Sequence, residues 1–169
     1  SEIQIDHLGY LDPSARQRKL QRDIRLLRMD FAVDPDDAST LLHLGLAYSE
    51  VGNHVEARKF LQRLLTADRA PGDYMRRVYG VLAELSLRDG KPQDALEVLG
   101  RGLFLFPGDH SLLLLRAEAL YEVDRFEAAR ATLIEIVTSP RLRHQQGGVP
   151  SGIQRKLAPR KLGDVLRVQ

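Results

Sequence analysis

Leu41-Leu42-His43-Leu44-Gly45-Leu46-Ala47-Tyr48 is followed by Gly52-Asn53 and then by Ala57-Arg58-Lys59-Phe60-Leu61. Leu41, Leu44, Gly45 and Tyr48 fall on one face of an α-helix, at i, i+3, i+4 and i+7. Gly52-Asn53 is a turn signal, because both residues enter backbone conformations that others avoid. Ala57 and Leu61 open a second helical face. The stretch therefore predicts two helices joined by a tight turn. Gly45 and Ala57 are the small residues that let them cross closely, and Asp36 or Asp37 caps the first.

The small-then-large pair Ala57-x-x-x-Leu61 returns as Ala95-x-x-x-Leu99 and Ala129-x-x-x-Leu133, after 38 residues (57 to 95) and then 34 (95 to 129). Its companions return with it. Tyr79, Leu82, Ala83 and Ser86 take the places of Leu41, Leu44, Gly45 and Tyr48, with Gly90 at the turn, Gly102 as a further contact slot and Pro107 at the end. In the third copy Leu113, Arg116, Ala117 and Leu120 fill those places. Asp124 stands at the turn, Ile136 follows Leu133, and Pro140 stops the helix. Ala70-Pro71-Gly72-Asp73 reads as a long connection that absorbs the four extra residues of the first interval.

A helix–turn–helix unit of 34 residues resembles the tetratricopeptide repeat. The resemblance covers residues 36–140 and implies an all-α fold, a tetratricopeptide-type helix–turn–helix solenoid wound as a right-handed superhelix. One such unit cannot bury its own apolar face, so it stacks on its neighbours and leaves a concave surface lined by the first helix of each repeat. On that surface the register places Leu42, Leu46, Glu50, Arg77, Gly80, Glu84, Arg88, Leu114, Glu118, Tyr121 and Glu122. Repeats that hold a peptide's terminal carboxylate use Lys and Asn. Leu42 and Leu46 stand there instead, which argues against that role. The mixture of Arg77 and Arg88 with Glu84, Glu118 and Glu122 fits a protein or peptide partner making polar and apolar contacts.

Four segments are expected. Ile3 and Ile5 alternate with polar residues, so residues 1–12 read as a residual strand from the end of a missing upstream domain. Asp12-Pro13-Ser14 starts a helix over 13–33 with Leu20, Ile24 and Leu27 on one face and Arg16, Arg18, Lys19, Arg22, Arg25 and Arg28 on another. Three repeats occupy 34–140. The glycine-rich run Gly147 to Gly152 then leads into Leu157, Leu162, Gly163, Val165 and Leu166. Residues 141–169 thus read as a loop plus the first helix of a fourth, truncated repeat. That helix would expose an apolar face, and self-association through residues 153–169 is expected. Lacking an initial Met, the chain reads as part of a longer protein.

The flanks resemble a second family. Ile5-Asp6-His7-Leu8-Gly9-Tyr10, Arg18-Lys19-Leu20-Gln21-Arg22-Asp23 and Pro35-Asp36-Asp37 are similar to the junction in bacterial family 2 glycosyltransferases that carry repeats behind the catalytic domain. This implies that the nucleotide-sugar domain lies before Ser1. It also implies that a closing-strand histidine, here His7, can support a bound metal or diphosphate in the whole enzyme; in this stretch it reads as an idle strand residue.

The remaining chemistry is sparse. The chain has 169 residues, 43% hydrophobic and 28% charged, enough for a core. It has no cysteine, which removes disulfides and thiolate metal sites and is compatible with a cytoplasmic location. His7, His43, His54, His110 and His144 lie in different elements, with no pairing that puts two ligands on one helical face. Asp34-x-Asp36 sits in a turn with a proline between and reads as capping. Gly147 to Gly152 lacks the Gly-Lys-Ser/Thr ending of a phosphate loop. Glu118 and Glu122 colour the groove acidic rather than serve acid–base chemistry. No catalytic residue, metal site or cofactor is expected. The net charge of +2 is uneven, with seven Lys and Arg against one Asp from Arg141 onward. That tail could meet phosphate, but no aromatics interleave with it, which speaks against nucleic acid. Apolar runs are too short to span a membrane, and Glu2 and Asp6 do not suit a secretory leader. The function expected is a non-catalytic scaffold, the repeat region of a family 2 glycosyltransferase that docks an acceptor or assembly partner. The alternative is a free-standing tetratricopeptide adaptor or secretion chaperone.

Overall fold

The computed structural model describes residues 13–66 and 72–138. The expected strand in 1–12, the stop at Pro140, the glycine-rich loop and the helix within 153–169 lie outside the described residues. Among those described there are seven helices and no strand: α1 (Pro13–Val33), α2 (Ala38–Glu50), α3 (His54–Thr66), α4 (Gly72–Arg88), α5 (Pro92–Leu105), α6 (His110–Glu122) and α7 (Phe126–Thr138). They belong to two compact units that divide after Gly72.

The repeat is written most clearly in its turns. Asn53, Lys91 and Arg125 donate their backbone N–H to Tyr48, Ser86 and Leu120 at 2.9 Å in each case. One residue earlier, Gly52, Gly90 and Asp124 donate to Ser49, Leu87 and Tyr121 at 3.2, 3.0 and 3.1 Å. This is the Schellman pattern, which satisfies the last carbonyls of a helix and needs a left-handed residue at its bend. Gly52 and Gly90 take it at φ 81° and 68°; in the third copy Asp124 takes it at φ 58°, although it carries a Cβ. Asp37 and Asp109 cap α2 and α6, accepting from the N–H of Thr40 at 2.7 Å and of Leu112 at 3.0 Å. Of the two aspartates that could cap α2, Asp37 does so. Asp36 instead accepts from Arg63 at 2.8 Å. Its own N–H donates to Asp34 at 3.1 Å.

In the first unit α2 and α3 meet where the small residues are. Ala57 and Leu61 are fully buried. A Cβ on Gly45 would lie 2.4 Å from Leu61 Cδ2. Leu61 thus fills the space over Gly45 within its own repeat. Helix α1 packs on this pair through Ile24, and Phe31 meets Phe60 edge-on at 5.3 Å. Phe60 in turn stacks on Tyr48 at 5.7 Å.

In the second unit Ala95, Ala117 and Ala129 are completely buried, as are Ala83 and Leu99. A Cβ on Gly102 would meet Tyr79 Cβ at 2.9 Å, so α5 approaches α4 at a slot only glycine fits. Ser86 replaces the tyrosine of the first copy without an orphaned hydroxyl, because its Oγ donates to the Leu82 carbonyl at 3.0 Å. Two expectations are corrected. The four extra residues are not all loop: α4 has 17 residues where α2 and α6 have 13, and it begins a turn earlier relative to its small-residue slot. Gly72 and Asp73 belong to its first turn, where helix N–H groups have no intrahelical partner and weak helix formers cost little. Arg116, in a slot that Leu44 and Leu82 fill as buried residues, is exposed.

Candidate interaction surface

The residues expected on the concave face come from α2, α4 and α6. In the first unit Leu42 is 1% exposed and belongs to the core, Leu46 is half-buried and Glu50 is exposed. Glu50 accepts from Arg16 of α1, an ion pair between two solvent-facing side chains. Leu42 therefore drops out as a presented contact, and Glu50 is engaged by its own chain.

Arg28 reaches from α1 to both other helices of this unit. Its Nε donates to Tyr48 Oη at 2.6 Å and its Nη2 to Glu56 at 3.1 Å, with the guanidinium 5.5 Å from the Tyr48 ring centre. The hydrogen bond to Tyr48 is the main reason its pKa is raised, with the charges of Tyr48 and Glu56 adding and burial opposing. Arg63 makes the matching contact from α3, 5.4 Å from the Phe31 ring. These two arginines hold α1 in place, so they form part of the unit's structure rather than a free binding surface.

The second unit presents more. Arg77 and Arg88 are exposed on α4, three turns apart along one face, with Gly80 and Glu84 half-buried between them. Gly80 faces α6: a Cβ there would sit 3.8 Å from Leu112 and 3.9 Å from Leu115. On α6, Glu118 and Glu122 are exposed and Tyr121 is half-buried. Tyr121 meets Phe126 edge-on at 5.1 Å. Leu114 is buried, at 7% exposure, and joins the cluster of Leu113, Ala117, Leu133 and Ile136. It too drops out as a presented contact. What remains exposed is Arg77 and Arg88 on α4 and Glu118 and Glu122 on α6, with the half-buried Tyr121 beside Glu122 at the C-terminal end of α6. Glu84, Glu118 and Glu122 have interactions within the chain, so a partner would compete for them rather than find them idle.

Among the described residues no group of three or more His, Cys, Asp or Glu is placed to hold a metal ion. No described helix is long and apolar enough to cross a membrane. Sequence reasoning missed a further surface feature. Ser14, Gln17, Arg18, Gln21, Arg22 and Arg25 line a shallow hollow along α1. The basic residues were legible, but their joint hollow depends on side-chain placement.

Two tetratricopeptide-repeat models match the chain, one over residues 36–104 and one over 86–140. Solved structures similar in fold include the following three. The crystal structure of MamA is 18% identical, with 77% of this chain and 75% of that chain covered and a TM-score of 0.65. YrrB, described as a TPR protein with an unusual peptide-binding site, is 17% identical; 75% of this chain and 63% of that one are covered, with a TM-score of 0.62. PilF from Pseudomonas aeruginosa is 23% identical, with 86% and 58% covered and a TM-score of 0.62. This chain therefore spans less than two thirds of the latter two. No curated protein matches it by sequence. With the repeated slots, the three equivalent turns and both models in agreement, residues 36–140 are tetratricopeptide repeats.

Proposed function

We propose that the chain is a non-catalytic scaffold that binds a protein or peptide through the first helices of its repeats, with the α4–α6 face of the second unit as the principal contact. One observation carries this reading: Arg77 and Arg88 are exposed on α4 while Glu118 and Glu122 are exposed on α6. Two strips of opposite charge on neighbouring helices select a partner by orientation as well as by affinity. Of the residues expected from sequence, Arg77, Gly80, Glu84, Arg88, Glu118, Tyr121 and Glu122, all in the second unit, form the working set.

Two settings suit such a scaffold. In one it is the repeat region behind a family 2 sugar-transfer domain and docks an acceptor or an assembly partner; the similarity of Ile5 to Tyr10 and of Pro35 to Asp37 to that junction supports it. Neither matching family model is a glycosyltransferase model, and Ile5 to Tyr10 lie outside the described residues. In the other it is a free-standing adaptor or secretion chaperone working in the cytoplasm. The likeness in fold to YrrB, whose description names a peptide-binding site, suits this equally well. The complete reading frame separates the two settings, since only the first has a sugar-nucleotide domain upstream.

The binding surface is tested by charge reversal. Partners captured from the source organism by the wild-type chain and by Arg77→Glu/Arg88→Glu are compared, with Arg101→Glu, exposed on α5, as control. The double variant loses the partner and the control keeps it, both with unchanged helicity. Equal recovery on all three would refute the assignment.

A further inference from the structure

Helix α1 has two apolar stripes. Ile24, Leu20, Leu27 and Phe31 face the first unit's core and are buried or half-buried. On the opposite side Leu26, Met29 and Val33 are 52%, 62% and 87% exposed. Their spacings of three and four continue backwards through Arg22 and Lys19. Lys19, Leu26 and Val33 thus fall at position a of a seven-residue repeat, and Arg22 and Met29 at position d. A helix whose outer side carries an a/d seam presents a surface made for another helix.

The charges beside the seam say which helix. At the flanking g positions stand Arg18 and Arg25; at the e positions stand Asp23 and Asp30. In a parallel pair of identical helices, residue g of one copy meets residue e five positions later in the other. Arg18 then meets Asp23 of the second copy and Arg25 meets Asp30. The two-fold axis repeats both pairs, giving four contacts of opposite sign. Leu26, Met29 and Val33 each meet their own counterparts. An antiparallel pair would set Asp23 beside Asp30, like charge against like, where the parallel pair sets each aspartate beside an arginine. The arginines at the g positions also line the shallow hollow along α1, so the acidic edge of a second copy enters a basic recess. Arg22 already lies 3.5 Å from Asp23, and Arg18 donates to Ser14 at 3.0 Å; both contacts are solvent-exposed and can be shared. Lys19 and Arg22 lie toward the start of the seam, where long side chains turn outward to water. The contact therefore centres on the C-terminal half of α1.

We propose that α1 is a self-recognition surface: two copies of this chain pair in parallel through Leu26, Met29 and Val33, in register fixed by Arg18–Asp23 and Arg25–Asp30 between copies. The surface is separate from the α4–α6 face and independent of the function proposed for it.

The chain has no cysteine, so single substitutions report proximity cleanly. Leu26→Cys in the full chain, gently oxidised, gives a disulfide-linked dimer on a non-reducing gel, because position 26 meets itself in this register. Lys59→Cys, exposed on α3, is the control and stays monomeric. Sedimentation then tests the charges. Arg25→Asp and Asp30→Arg each lose the dimer, and the two together restore it, since the pair is rebuilt with its signs exchanged. A dimer formed through another surface would ignore these swaps. A wild-type chain that stays monomeric at high concentration, cross-linking no greater at position 26 than at 59, or a double swap that fails to restore the dimer would each overturn the proposal.

Discussion

Replacing Gly45 with alanine destabilises the α2–α3 pair, although alanine is the better helix former. In an exposed helix interior the exchange gains about 1 kcal/mol. At Gly45 the new methyl would stand 2.4 Å from Leu61 Cδ2, 2.5 Å from Cγ and 3.4 Å from the Leu61 backbone nitrogen. An ordinary carbon contact is about 3.5–4.0 Å, so the overlap exceeds 1 Å by rough count. It involves the branch atom of a side chain that is 0% exposed and so does not border solvent. Forcing such a core apart costs about 1–3 kcal/mol. With the overlap at the severe end, the net loss is about 1–2 kcal/mol after the helix gain is subtracted. Gly100 supplies the opposite case: it is exposed, and an added Cβ meets nothing within 4 Å. Gly100→Ala therefore stabilises by up to about 1 kcal/mol. Urea unfolding followed by circular dichroism measures both. The two variants must move in opposite directions, and a Gly45→Ala midpoint equal to or above wild type would refute the close-crossing argument. A cycle with Leu61→Ala sharpens the test. The double variant should lose less than the two single losses combined, because alanine at 45 then fills part of the vacated space.

Further outcomes follow from the same geometry. Asp124→Gly stabilises by about 1 kcal/mol, since Asp124 holds φ 58° with a Cβ where the other two turns have glycine; a lower melting temperature would contradict this. Ala95→Leu overpacks a fully buried slot and costs about 1–3 kcal/mol, read as a lowered melting temperature. Asp37→Ala removes the α2 cap and costs about 1 kcal/mol at neutral pH. Hydrogen bonds from Thr40 hold the Asp37 carboxyl below its ordinary value of 3.8. A depressed carboxylate contributes its full stability above that value and loses it as pH falls through the lower, folded-state pKa. The stability gap to Asp37→Asn therefore narrows only in strong acid, and a gap unchanged across that range would refute the charged cap.

The helix pairs were legible because small residues and turn residues recur together. Ala57, Ala95 and Ala129 can occupy close crossings, and Gly52 and Gly90 can bend a Schellman turn; each choice is local and needs no knowledge of the rest. What was not legible depends on how many neighbours a helix has. Leu42 and Leu114 stand at positions that the repeat register turns outward, yet both are buried. Along α6, Leu112 to Leu115 are all buried, so periodicity cannot tell an open side from a covered one there. Pro71-Gly72-Asp73 looked like a break, but α4 starts at Gly72. The second stripe of α1 went unread because Leu20, Ile24 and Leu27 already supplied one apolar face, and a helix with two is resolved only by exposure.

Where a partner sits on this chain is the direct test of the scaffold reading. Hydrogen–deuterium exchange, measured on the chain alone and with its captured partner bound, reports this peptide by peptide. The account predicts added protection in 77–88 and 114–122, with the outward residues of α5 near Arg101 unchanged. Protection confined to α5 and α7, with α4 and α6 exchanging as in the free chain, would contradict it.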